Sequence, residues 1–452
     1  MSQRQRISVS RRPSYQPRLE CLEERAVPTA GGLNPRFDHG GENCFSFNGG
    51  SIGTNAIAAL PGGGVVVAGS DANGNLLVAE LNSHGQFRAG FGQAGEVVLP
   101  LGLTNGIGSV VTDDDGNITI VGENAGAFTP NYIPPDLVLV HLHRDGHLDT
   151  SFNGTGTYEI QGGFLALSGV AVSPCGQTYV GYVDFNGTPD VLRLTRAGTP
   201  DPTFGNGGLA VLPFVNGFFA GEGNGLALTP DGKVVMVGTA PDANSVFGFA
   251  AARLNSDGTP DTSFGSDGSG TVVFGDGSGA DFATGVVVQD NGRIDIVGGA
   301  PDPVTGNLDL AVAKLDRNGS LVSNFGTGGL SLIQAPQGIA AEPIDISLGY
   351  NDQIVVVAST QNPSPDPVFP GGYELARLNR NGSLDTTFGT QGIVLVAPSN
   401  LSTSTTTFNT AAASGVVVQD DGTIDVGGAA TYFDSSAQSV DNLSFFVTSY
   451  RG

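Results

Sequence analysis

Short runs of Val, Ile, Leu and Ala, each of strand length, alternate with glycine-rich turn clusters along almost the whole chain. One stretch shows the rhythm: Thr271 to Phe274, Thr284 to Gln289, Arg293 to Val297 and Leu308 to Leu315 are four apolar runs separated by turn residues. Runs of this length, enriched in β-branched residues and bounded by Gly, Asn and Asp, predict strands. The middle two are joined by Asp290-Asn291-Gly292, and the same junction recurs as Asp115-Gly116, Asp231-Gly232 and Asp421-Gly422. Asn-Gly and Asp-Gly accept the positive φ of a tight hairpin, so these runs pair antiparallel.

The pattern repeats. The phrase Leu-x-x-x-Gly-x-x-Asp-x-x-Phe-Gly-x-x-Gly reads LNSDGTPDTSFGSDG from Leu254 to Gly268 and LNRNGSLDTTFGTQG from Leu378 to Gly392. Variants begin at Leu81, Leu142, Leu194 and Leu315, and a truncated copy, GLNPRFDHGG, spans Gly32 to Gly41. The anchors Phe37, Phe91, Phe152, Phe204, Phe264, Phe325 and Phe388 mark seven units roughly 60 residues apart, a period of the repeat architectures. Four strands cannot bury two sheet faces alone, so the units must stack on one another. Radial stacking predicts an all-β, seven-bladed β-propeller of four-stranded antiparallel blades spanning residues 31–452.

The phrase resembles the delta-60 repeat, a bacterial and mostly extracellular or cell-surface family, and its rhythm is similar to NHL-type propeller repeats. Arg88, Val322 and Asn153 depart from the family pattern at single positions. The NHL resemblance implies that the Gly-Val-Val-Val strand is innermost. The run near Asn43 to Phe47 is then an outer strand that completes the blade formed by Gly415 to Tyr450. The ring would close by pairing this N-terminal strand with the C-terminal blade, which covers an otherwise open sheet edge.

Charge narrows the partners. The 452 residues carry 19 basic and 43 acidic side chains, and six of the arginines fall in the first thirty residues. So acidic a body repels phosphate backbones and anionic membranes, which argues against nucleic acid. No apolar run approaches the length of a membrane span. Three cysteines, Cys21, Cys44 and Cys175, form no complete disulfide framework, and Cys175 is expected exposed in a hairpin turn. A monomer is expected.

Residues 1–30 are Arg-rich and polar and lack the apolar stretch of a secretory signal peptide. They read as a disordered leader or tail. Pro17 to Arg25, PRLECLEER, resembles the short LExLExR leader at the start of many large exported and surface proteins. That resemblance implies an extracellular or cell-surface location.

No side-chain group singles out a reaction, and no catalytic residue is assigned. Of the five histidines, His39, His84, His141, His143 and His147, the pair His141 and His143 shares one face of a strand and could grip a metal. Equivalent columns hold Arg193, Arg253, Lys314 and Arg377, and Thr195, Asn255 and Asp316, so polar variation at a strand end explains the pair better. The phrase aspartates Asp149, Asp201, Asp261 and Asp385 recur by unit and read as turn caps. Calcium is the cofactor worth testing, with Asp71, Asn73 and Asn75 in one loop and Asp276 and Asp281 in another. The long loops Ala125 to Asp136 and Gln361 to Tyr373 are further places for a ligand. The expected function is a non-catalytic binding or structural module for a protein or glycan. The competing reading is a carboxylate-dependent lyase or glycoside hydrolase acting at the central channel mouth.

Overall fold

The structure is a computed structural model describing residues 30–47, 52–124, 135–161, 163–214, 219–220, 225–242, 244–275, 281–302, 306–334, 340–361, 371–401, 408–434 and 439–452. The leader falls outside these residues. The described residues form seven antiparallel sheets, each ordered inner, second, third and outer strand. Blade 1 is Ile52–Ala59, Val65–Ser70, Asn75–Leu81 and Glu96–Pro100, and blade 2 is Gly106–Thr112, Ile118–Glu123, Leu137–Leu142 and Thr157–Ile160. Blade 3 is Phe164–Val172, Thr178–Asp184, Pro189–Leu194 and Leu209–Val211. Blade 4 has a divided inner strand, Phe219–Ala220 and Leu226–Leu228, followed by Val234–Pro241, Phe247–Leu254 and Thr271–Phe274. Blades 5 and 6 run Phe282–Val288, Ile294–Pro301, Leu308–Leu315, Leu330–Ile333 and Ala340–Leu348, Ile354–Gln361, Gly372–Leu378, Ile393–Val396. Blade 7 takes Phe408–Val418, Ile424–Asp434 and Ser439–Tyr450 from the C-terminal end and its outer strand, Glu42–Phe45, from the N-terminal end. The fold is the all-β seven-bladed propeller, closed by the N-terminal strand.

Both faces of each blade are apolar at the strand centres, and the buried clusters lie between neighbouring blades rather than within one. Val355, Val357 and Leu375 of blade 6 pack with Ala413, Val416 and Val426 of blade 7, for example. Burial of this interblade surface is what holds the ring together.

The phrase clasps one blade to the next. Its phenylalanine is buried in every unit, Phe37 and Phe91 through Phe388. The glycine four residues after the phrase leucine sits on the preceding unit's ring. A Cβ added at Gly85 would meet Phe37 at 2.6 Å, and one added at Gly198 would meet Phe152 at 2.7 Å. One residue past each phenylalanine, a backbone N–H donates to the carbonyl just before that glycine. The seven bonds are Asp38 to His84, Gly92 to Asp145, Asn153 to Ala197, Gly205 to Asp257, Gly265 to Asn318, Gly326 to Asn381 and Gly389 to Ala30, at 2.7–3.0 Å.

The seventh clasp shows how the ring closes. The Gly31 N–H donates to Arg451 O at 2.8 Å, and the Asn34 N–H donates to Ser449 O at 2.8 Å. Gly258 to Asn255 and Asp261 to Arg253 are the same bonds in blade 4. Tyr450, Arg451, Gly452, Ala30 and Gly31 therefore form a Leu-x-x-x-Gly phrase divided between the two ends. The truncated copy at Gly32 to Gly41 is its second half.

Candidate functional site: the blade junctions on the phrase face

Antiparallel alternation places the inner-to-second hairpin and the phrase turn at the same end of every blade. That end of the ring therefore collects the polar groups of the repeat. Each phrase aspartate accepts the N–H and hydroxyl of the residue two further on: Asp201 Oδ1 from Thr203 at 3.0 and 2.7 Å, Asp261 Oδ1 from Ser263 at 3.0 and 2.7 Å. Asp149 and Asp385 do the same with Ser151 and Thr387. These are Asx turns.

The second carboxylate oxygen meets a cation from the end of the third strand. Arg193 reaches Asp201 at 3.1 Å, Arg253 reaches Asp261 at 2.7 Å and Arg377 reaches Asp385 at 3.0 Å. Lys233 adds a second cation to Asp261 at 2.6 Å. Each guanidinium also lies over its phrase ring, 4.5–4.6 Å from the centroids of Phe204, Phe264 and Phe388. These bonds hold Asp201, Asp261 and Asp385 below the usual carboxylate range although burial acts to raise them.

The irregular units keep the pair by other means. In blade 2, His141 Nδ1 lies 3.1 Å from Asp149 and its ring stacks on Phe152, so His141 stands where its column holds Arg. Burial pushes its imidazole below the ordinary value, while Asp149 and Asp113 pull upward. His143 Nε2 lies 3.4 Å from the same carboxylate. Blade 1 reverses the charges: Glu80 occupies the cation position and pairs with Arg88, where the phrase elsewhere has Asp. Blade 5 has Val322 at the aspartate position, and Lys314 pairs instead with Asp295, its direct cross-strand neighbour, at 2.6 Å.

These turns frame clefts, two of them between blades. At the junction of blades 4 and 5 a cleft of about 460 Å³ is lined by Lys233, Arg253, Ser263, Asn291, Arg317 and Asn318, among others. Beside the blade 6 phrase, Asn351, Gln353, Asn379, Arg380, Asn381 and Ser383 line one of about 400 Å³. At the junction of blades 7 and 1, Gly62, Gly63, Gly64, Ser83, Gln419, Asp420, Asp421, Thr423 and Asp425 line one of about 280 Å³.

The central channel, about 450 Å³, is different in kind. Its wall comes from the innermost strands and is mostly Val, Ile, Leu and Ala. The polar side chains on it are engaged between blades. Thr112 Oγ1 donates to Ala59 O at 2.6 Å, Ser347 Oγ accepts from the Val418 N–H at 3.1 Å, and Asp345 Oδ2 accepts from the Val416 N–H at 2.9 Å. Asp345 is the single carboxylate lining it among the described residues.

Of the calcium candidates, Asp71, Asn73 and Asn75 share one turn. Asp71 Oδ1 accepts the N–H groups of Asn73 and Asn75 at 2.8 and 2.9 Å, and its Oδ2 accepts from the Asn75 side-chain amide at 2.7 Å. Asp281 is buried, and Asp276 lies outside the described residues. Most of the two long loops, 125–134 and 362–370, also lies outside them. Among the described residues no three His, Cys, Asp or Glu side chains are grouped to hold a metal ion. Cys175 is exposed.

The phrase pattern does not single out Asp295, Asp425 or Ser449. Asp425 faces Ser449 directly across the strand pair, as Asp295 faces Lys314. The signal is present in the repeat columns, but it lies between two strands of one blade and not within the phrase.

Residues 229–264, 289–325 and 370–388 match a family model described as "Domain of unknown function (DUF5122) beta-propeller". These segments are the phrases of blades 4, 5 and 6 with strands that precede them. No curated protein matches the chain. Among solved structures, a protein of unknown function from Dyadobacter fermentans is similar at 11% identity over 91% of this chain and 98% of that one, with a TM-score of 0.43. Polysaccharide lyase Uly1 shows 11% identity over 90% and 91%, with a TM-score of 0.48. The β-propeller domain of the Trilobed protease from Pyrococcus furiosus shows 7% identity over 73% and 81%, with a TM-score of 0.38. Among the described residues no helix is long and apolar enough to cross a membrane.

Proposed function

We propose that this chain is a non-catalytic binding or structural module of the delta-60 type, exported or held at the cell surface, which engages a protein or glycan through the junction clefts of its phrase face. One observation carries the reading: the same blade frame opens into clefts at three places around the ring, each with a different polar lining. A constant frame with variable lining is how a rigid scaffold presents several contacts to an extended or multivalent partner. The net charge of −24 disfavours nucleic acid as that partner. The PRLECLEER segment supports export.

Two measurements test this. Purified full-length chain is offered to immobilised oligosaccharides and to solubilised cell envelope, and the same preparations are assayed for release of reducing or unsaturated ends. The expected result is saturable binding without product release, weakened at least fivefold by Arg317→Glu at the blade 4 and 5 junction. Turnover of a polysaccharide would overturn the non-catalytic reading. Fractionation of the native cell should recover the chain outside the cytoplasm, and purely cytosolic chain with residues 1–30 intact would overturn export.

A further inference from the structure

Six of the seven phrase turns set a cation or a histidine against a buried carboxylate. Among the described residues, blade 7 has the carboxylate without the cation. Asp425 is 2% exposed and is the second residue of its strand, as Asp295 is in blade 5. Both carboxylates accept a bond from the glutamine that opens their hairpin: Gln289 Nε2 to Asp295 Oδ2 at 2.6 Å and Gln419 Nε2 to Asp425 Oδ2 at 2.8 Å. The two sites diverge at the cross-strand partner. Asp295 faces Lys314, whose ammonium lies 2.6 Å away, whereas Asp425 faces Ser449. Among the described residues Asp425 Oδ1, like Asp295 Oδ1, is buried without a hydrogen-bond partner, but Asp295 has the Lys314 ammonium against it.

Asp425 also borders the cleft at the junction of blades 7 and 1. At the blade 4 and 5 junction the lining includes Lys233 and Arg253; here Thr423 takes the place of Lys233 in the lining, and the buried Ser449 stands in the column of Arg253. Among the described residues, the blade 7 and 1 lining contains Asp420, Asp421 and Asp425 and no basic side chain, and it also includes the glycine run 62–64. A Cβ added at Gly62 would meet nothing within 4 Å, and one added at Gly63 would meet only Ser83, which leaves that part of the lining low.

We propose that the cleft between blades 7 and 1 binds a primary ammonium group, which sits against Asp425 where blade 5 places the ammonium of Lys314. The inference rests on the reading of the junction clefts as binding sites. The molecule itself supplies the comparison, since an otherwise matching carboxylate two blades away is completed by an alkylammonium. A guanidinium fits less well: in blades 3, 4 and 6 it is directed to the phrase aspartate, a position held here by Asn34. A divalent cation lacks a third carboxylate or imidazole grouped with it among the described residues. Burial lifts the Asp425 carboxyl to about 6 against the pull of Ser449 and Gln419, and above that pH the ionised form has a net attraction for a cation. The ammonium can be that of a lysine side chain on a partner protein or of a small amine, and both offer the same chemistry.

The test is calorimetric titration of the full chain at pH 8 with Nα-acetyl-lysine methylamide, putrescine and glucosamine. N-acetylglucosamine, tetramethylammonium and calcium serve as controls. One saturable site for the primary amines, absent for the controls, is expected. The order among the three amines separates a lysine-bearing partner from a polyamine or an amino sugar. Ser449→Lys, which rebuilds the blade 5 arrangement, should weaken amine binding at least tenfold and raise the melting temperature. Asp425→Asn should weaken binding as much; should that variant misfold, Ser449→Lys still decides. Unchanged amine binding in Ser449→Lys, absence of amine binding in the wild type, or calcium as the better ligand would overturn the proposal. A wild-type chain that binds envelope or glycan but no amine overturns this inference alone and leaves the broader function standing.

Discussion

Arg377 and Asp385 are almost wholly buried, with side chains 7% and 10% exposed, so their pairing cannot be judged by the small value of a surface ion pair. Removing one member of a buried pair leaves an uncompensated charge. Arg377→Ala should therefore cost about 3 kcal/mol in denaturant unfolding. Gln353, which donates to Asp385 at 2.8 Å, and Thr387 are the neutral donors that remain to hold the carboxylate. Glu374 presents the opposite problem: it is fully buried on the third strand of blade 6, and among the described residues neither oxygen has a hydrogen-bond partner. Burial, reinforced by Asp309, lifts its carboxyl to about 7, and burial lifts Asp190 to about 6. In the unfolded chain both ionise near pH 4, so between about pH 4 and 7 the folded state binds more protons and stability falls as pH rises. His141, pushed down by burial, works against this trend below neutrality. Glu374→Gln removes the group that titrates highest. It should raise stability at pH 8 by about 1–3 kcal/mol and flatten the curve between pH 6 and 8, as read from unfolding midpoints across that range. A variant no more stable than the wild type at pH 8 would mean that Glu374 is not carried as a buried charge.

At the scale of the element, the phrase turn is both what could be read in advance and what does most of the joining. Its period, its phenylalanine, its Asx-capping aspartate and its hairpin glycines are local features, and each follows from the backbone geometry a short motif requires. The glycine shows why the motif is strict. Gly382 has φ +83°, and a Cβ there would lie 2.7 Å from Gly326 N across the blade junction. Gly187, with φ +80° in a hairpin of blade 3, has nothing within 4 Å. Gly382→Ala should cost about 3 kcal/mol or more, and Gly187→Ala only about 1, because the second bears the strain of the left-handed backbone alone. Comparable losses would show that the junction can yield. What the phrase did not disclose is the exchange of partners in blades 5 and 7. Lys314 with Asp295, and Asp425 with Ser449, depend on which residues face each other across a strand pair. That register is fixed by the whole blade, and the column of cations at His141, Arg193, Arg253, Lys314 and Arg377 gives no hint that Asp295 is the partner of Lys314. Alternating Asp and Asn at Asp71, Asn73 and Asn75 suit an Asx turn as well as a metal, and the Asp71 carboxylate accepts the turn's own N–H groups.

For the molecule as a whole, the decisive phrase is the seventh, because it joins by hydrogen bonds and packing what the other six join through continuous chain. Tyr450 and Arg451 supply the first half of its phrase and Gly31 to Phe37 the second, while Glu42–Phe45 covers the edge of Ser439–Tyr450. In blade 4, two residues, Ser256 and Asp257, separate the positions equivalent to Arg451 and Gly31. In blade 7 those places are filled by Gly452 and Ala30, and Ala30 O accepts the clasp bond from Gly389 at 3.0 Å. The phrase is complete across the two ends, so a direct peptide bond from Gly452 to Ala30 would restore it as one uninterrupted segment. A circular permutant with that bond, lacking residues 1–29 and opened in the exposed hairpin between Asn186 and Gly187, should fold to the same ring. Its unfolding should be slower than the parent's, since fraying of Glu42–Phe45 would no longer free a chain end at the closure. Matching circular dichroism with a melting temperature no lower than the parent's is the expected outcome. A fall of about 10 °C or more, or loss of the monomer, would mean that the two halves of the phrase meet in a geometry that one continuous chain cannot adopt.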